Sequence, residues 1–230
     1  MSLVNGIAML AQARARGYAV GAFDVINPEF LAGAMEGVTA ARAPVLLSLA
    51  EMHLDYVDRE GFAPALRRAA ETAPVPVAVH LDHGSRLDTL ARALAAGFTS
   101  VMFDGSRLPY AENLRLTREA VRRAHAAGAA LEAELGQVCG HEEATGEPGP
   151  GSRDPAPGYT GPAQAADFVR QTGCDFLAVS IGTVHGLHRQ QVRLDLPRPG
   201  AGAGAVSGAW RFGTVRPRVR RPQHRGHQQD

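Results

Sequence analysis

The chain has 230 residues, 45% of them hydrophobic and 20% charged, with a formal net charge of +1. That is enough apolar content for one sizeable core, and the near-neutral charge points to neither nucleic acid nor an anionic membrane as partner. No apolar run is long enough to span a bilayer, and no signal peptide is evident, so a cytoplasmic location is expected.

Cys139 and Cys174 are too few for a disulfide framework, which fits a reducing compartment. Lysine is absent, so all 24 basic residues are arginine. Schiff-base chemistry needs a lysine amine, and so does covalent attachment of pyridoxal phosphate. Any carbonyl chemistry in this chain therefore needs another electron sink.

Residues 3–16 carry apolar side chains at helical spacing. "YAVGAFDV" (18–25) reads as a strand and "PEFLAGAMEGVTAA" (28–41) as a helix with Pro28 in its first turn. The alternation continues with strand 43–51, helix 59–73, strand 75–84, helix 86–97 closed by Gly97, and strand 98–106. Helix 110–128 closed by Gly128, strand 130–138, helix 161–173 and strand 174–186 follow. The strands read as near-continuously apolar, which implies a parallel sheet covered by helices.

A (β/α)8 TIM barrel and a doubly wound sheet both fit this rhythm. No G-x-G-x-x-G follows the first strand, which weakens the dinucleotide-binding alternative. Polar residues instead end many strands: Asp24, Glu51, Asp82 with His83, Asp104, Glu134 and His185. A barrel builds one site from the C-terminal ends of many strands, so the barrel is expected. Residues 139–160, rich in Gly, Pro and acid, break the rhythm as a long loop of functional or disordered character.

His83 and His185 are the metal-ligand candidates, since each ends a buried strand and precedes a glycine. Imidazole suits zinc, and a catalytic zinc takes about three protein ligands. Asp82 could move a proton beside the metal, support a ligand from behind, or cap helix 86–97. Glu134 is open to three roles: ligand, carboxylate behind a ligand, or member of a buried ion pair. Surface or packing roles are expected for His53, His80, His125, His141 and His188.

"GAFDVIN" (21–27), "HLDHG" (80–84), "SVMFDGSRLPYAEN" (100–113), "EAELGQVCGHEE" (132–143), "YTGPAQAADFV" (159–169) and "DFLAVSIGTVHG" (175–186) occur in this order. Together they resemble the class II, metal-dependent fructose-bisphosphate and tagatose-bisphosphate aldolases. The resemblance implies a TIM barrel that reversibly cleaves a ketose 1,6-bisphosphate to dihydroxyacetone phosphate and an aldehyde such as glyceraldehyde 3-phosphate. It implies Zn2+, with a monovalent cation as a further candidate, a sugar-phosphate substrate and a homodimer or homotetramer. By position, His83 and His185 match two zinc histidines, Asp82 the acid/base at the aldehyde oxygen, and Glu134 a carboxylate near the metal. Glu142 matches the loop acid that moves the C3 proton, and Gly186 a backbone phosphate contact.

Asp24 stands where the family has an amide that touches substrate, Ala50 where a small hydroxyl is common, and Cys139 in place of a loop glycine. The resemblance runs to about residue 196. Residues 197–230 are rich in Arg, Gly and Pro, with Asp230 the only acid after residue 200. They are expected to be a disordered basic tail that adds no strand to the barrel, as a reading-frame slip or a truncation would leave. The expected organisation is a partial barrel over 1–196 with strands seven and eight missing. The alternatives are an inactive aldolase remnant and another metal-dependent TIM-barrel enzyme.

Overall fold

The structure, a computed structural model, describes residues 2–57, 59–136 and 160–180. The long loop, the strand end around His185 and the tail lie outside the described residues. The element order is α1 (Ile7–Arg16), β1 (Gly21–Asp24), α2 (Pro28–Ala41), β2 (Val45–Ala50), a 3-10 turn (Glu51–Asp55) and α3 (Arg59–Thr72). It continues with β3 (Val77–Gly84), α4 (Leu87–Ala95), β4 (Ser100–Phe103), α5 (Tyr110–Ala126), β5 (Ala130–Leu135), α6 (Pro162–Thr172) and β6 (Phe176–Val179).

The ends of these elements follow local chemistry. Pro28 occupies the first turn of α2, and the side chain of Asn27 accepts from the Phe30 amide at 2.8 Å. Gly97 and Gly128 take left-handed φ values of 84° and 73° just past α4 and α5. The first helix starts later than residue 3. Val4 N–H donates to the Val77 carbonyl and Val77 N–H to that of Ser2, so residues 2–4 run extended beside β3. Gly6, at φ 86°, turns the chain into α1.

Among the described residues, six strands, all parallel, lie in the order β1-β2-β3-β4-β5-β6. A doubly wound sheet reverses its strand order at a switch point. This sheet does not, and it curls into a half-barrel with helices outside, an incomplete (β/α)8 barrel.

The two faces of the strands differ. Leu47, Val79, Val101, Leu131 and Leu177 pack with Leu66, Leu90, Ala120 and Phe168 of the helices. Leu47, Leu66, Leu90 and Phe168 are almost wholly buried, and burying such a side chain contributes about 1.5–3 kcal/mol. On the opposite face Leu46 and Ala78 pack against Met9 of α1. That inner face then turns polar: Ser48, His80, Asp82, Ser100, Glu132 and Glu134 are all buried. From β2 to β5 the strands are buried on both faces, as expected, whereas β1 is exposed along its length, and the buried strands alternate rather than run apolar throughout. Successive side chains point to opposite faces, so one strand supplies both an apolar shell and a polar interior.

Candidate functional site

The site begins at a break in a strand. The β3–β4 register shifts between Leu81 and Gly84, and His83 takes a φ of 47°. A non-glycine residue in the left-handed region is uncommon, and a bulge of this kind re-aims a side chain. Gly84 permits the close approach. A Cβ there would lie 2.6 Å from the Met102 carbonyl oxygen and 2.7 Å from a Leu90 methyl carbon. The "HLDHG" ending thus combines a histidine in the left-handed region with a glycine where any side chain would force its neighbours to shift.

His83 Nδ1 lies 2.8 Å from Asp104 Oδ2, just past the end of β4, and 3.8 Å from Glu134 Oε2 on β5. The other Asp104 oxygen accepts from the Ser106 amide at 3.0 Å and the Ser106 hydroxyl at 2.6 Å. Burial pushes the Asp104 carboxyl up. Hydrogen bonds from His83 and from the Ser106 side chain and backbone, together with the His83 charge, outweigh burial and hold it at about 2. An ionised carboxylate only accepts, so Nδ1 carries a hydrogen, and in the neutral tautomer of the ring the lone pair falls on Nε2. That is the tautomer in which a histidine binds metal through Nε2 with a carboxylate behind it.

Glu134 is placed through its backbone. Buried Asn113 on α5 donates to the Glu134 carbonyl at 3.0 Å and accepts from Thr117 at 2.9 Å. Gly105 makes room for this amide, because a Cβ there would lie 2.3 Å from Asn113 Oδ1. On the other flank Glu51 Oε2 accepts from both the amide and the hydroxyl of Ser85, each at 2.6 Å, which ties the turn after β3 to the end of β2.

His83, Asp104 and Glu134 form a group whose potential ligand atoms all lie within 4.8 Å of one another. With Asp104 behind the ring at Nδ1, His83 Nε2 and the Glu134 carboxylate are the donors left to a metal, and zinc and other divalent ions accept both. The residues present therefore fit a metal.

Asp82 is 2% exposed, next to His83, and pairs in register with Ala50. Helix α4 is capped by Arg86 without a side-chain bond, so Asp82 is not its cap. Asp24 ends β1 in register with Ser48. Of the histidines assigned to packing or the surface, His125 is exposed and bonds Asp175 at 2.9 Å. His80 is fully buried, with Ser100 at 2.8 Å and Glu132 at 3.5 Å. Glu142, His185, Gly186, His141 and His188 lie outside the described residues.

Two contributors escaped the sequence reading. Asp104 stood among the polar strand ends without a role, although "DGS" after a strand signals an acid that folds back on its own turn. Thr160 joins the ends of β5 and β6: its hydroxyl donates to the Leu135 carbonyl and accepts from the Ser180 amide at 2.8 Å.

The sequence model of the family described as "Fructose-bisphosphate aldolase class-II" matches residues 4–206. The chain belongs to the class II fructose-bisphosphate aldolase family. It is 42% identical over 198 residues to the fructose-bisphosphate aldolase of Thermus caldophilus, a match covering 85% of this chain and 63% of that protein. It is 40% identical over 189 residues to that of Giardia intestinalis, covering 82% of this chain and 56% of that protein. The chain thus spans less than two thirds of the length of these two relatives.

The structure is also similar to the YdjI aldolase of Escherichia coli K12, with TM-score 0.78 and 33% identity over 90% of this chain and 71% of that one. A putative fructose-1,6-bisphosphate aldolase from Coccidioides immitis gives TM-score 0.78 at 30% identity, covering 90% of this chain and 72% of that one. Among the described residues, no helix is long and apolar enough to cross a membrane.

Proposed function

We propose that this chain carries the β1–β6 part of the active face of a zinc-dependent class II aldolase. The reaction is reversible cleavage of a ketose 1,6-bisphosphate to dihydroxyacetone phosphate and glyceraldehyde 3-phosphate. The observation that carries this reading is the convergence of His83, Asp104 and Glu134 at the ends of three adjacent strands. His83 would hold the metal through Nε2, with Asp104 orienting the ring and Glu134 adding negative charge beside it, and His185 would be the second histidine ligand. When bound, zinc polarises the substrate ketone and serves as the electron sink that a lysine would otherwise provide.

The other steps belong to side chains. Asp82 gives and takes the proton at the aldehyde oxygen, and Glu142 moves the proton at C3. Asp24 and Gly186 contact the substrate, Gly186 through its backbone at a phosphate. The chain acts in the cytoplasm as a homodimer or homotetramer.

Cleavage of fructose 1,6-bisphosphate and zinc content, measured together on the same preparation, test this reading. Asp82→Ala is expected to lower turnover by ~10²–10⁴-fold, the range for a general acid–base group, while zinc content holds. Equal loss of zinc and turnover would make Asp82 a structural residue. A zinc-loaded wild-type chain without turnover would mark it as an inactive remnant.

A further inference from the structure

Beneath the candidate site lies a second tier built the same way across the same three strands. In the upper tier His83 of β3 meets Asp104 after β4 and Glu134 of β5, at 2.8 and 3.8 Å. In the lower tier His80 of β3 meets Ser100 of β4 through Nδ1 at 2.8 Å and Glu132 of β5 through Nε2 at 3.5 Å. His80 and Glu132 are 0% and 2% exposed. Residues two apart on a strand share a face. His80 therefore lies directly below Asp82, and Glu132 directly below Glu134.

Stability does not explain this lower tier. Replacing a buried acid–base pair with apolar side chains of similar volume is often neutral or stabilising. A buried polar cluster of this kind does something else: it favours one arrangement of the strands that carry it. The β3 strand needs such a pin, because its register against β4 shifts between Leu81 and Gly84. His80, paired with Ser100, is the last regular inward-facing position before that shift.

We propose that His80, held by Ser100 and Glu132, is a positioning residue that sets where Asp82 and Glu134 stand beside His83. Its catalytic consequence rests on the function proposed above; its structural content does not.

The test uses the full-length chain carrying His80→Leu, His80→Gln or Ser100→Ala. Three quantities are read: the thermal midpoint, the carboxyl 13C shifts of Asp82 and Glu134, and cobalt(II) affinity from visible absorption. His80→Leu is expected to move both carboxyl shifts and weaken cobalt binding by ~10-fold or more, as loss of supporting contacts does at metal sites. His80→Gln keeps a donor toward Glu132 and should recover most of that loss.

A lowered midpoint with unmoved shifts and cobalt affinity within about twofold of wild type would overturn the positioning role. If the wild-type chain takes up no cobalt, the metal reading fails, and the carboxyl shifts alone decide the role of His80. Should His80→Leu not fold, Ser100→Ala, a far smaller change, carries the same comparison.

Discussion

Nδ1 of His83 and Oδ2 of Asp104 lie 2.8 Å apart across neighbouring strands, and this pair decides which nitrogen of the ring is available to a metal. The carboxylate is held in turn by Ser106, so the ring, the acid and the turn form one unit. Asp104→Ala removes the orienting group while leaving the ligand in place. Zinc affinity measured by calorimetric titration should fall about 10–100-fold, with the far-ultraviolet circular dichroism unchanged. Unaltered affinity would mean that the left-handed backbone at His83 orients the ring without help.

Gly84 makes a prediction about packing. A methyl group there would press on the Met102 carbonyl and on the side chains of Leu90 and Leu81. Backbone yields less readily than a side-chain tip, so β3 and β4 must part. Gly84→Ala should lower the unfolding free energy by about 1–3 kcal/mol, read from the urea midpoint. A change within ~0.5 kcal/mol, ordinary for a surface position, would show that the bulge absorbs the methyl.

How far the site could be read from sequence followed from where its information lies. Asp82, His83 and Glu134 stood out because each ends an apolar run, and a polar group at a buried strand end is a local signal. The barrel rather than a doubly wound sheet followed from the number of such ends, and the sequential strand order agrees with it. Asp104 received no role because its meaning depends on His83, a neighbour in space but 21 residues away in sequence. His80 and Glu132 were harder still. Inside a strand nothing local says which face a residue takes, and both sit in runs that read as apolar. The helix expected from residue 3 failed for a different reason, since pairing of residues 2–4 with β3 overrides helical periodicity. Glu142, His185 and Gly186 entered through family resemblance and lie outside the described residues.

Cys174 makes a prediction about reactivity. The thiol is buried just before β6, and burial foremost pushes its pKa up to about 11. The thiolate is the nucleophile, so at pH 8 almost none is present. Alkylation followed by peptide mapping should leave Cys174 unmodified in the native protein and label it fully in denaturant. Fast native labelling at this position would show that α6 opens readily from the sheet.

The central claim is that His83 holds a metal at the C-terminal end of β3. The direct measurement is zinc bound per chain after desalting, made on wild type and on His83→Ala side by side. The account predicts about one zinc per wild-type chain, as a single site would hold, and little on His83→Ala at the same protein concentration. Equal zinc on both proteins, or none on the wild type, would contradict it.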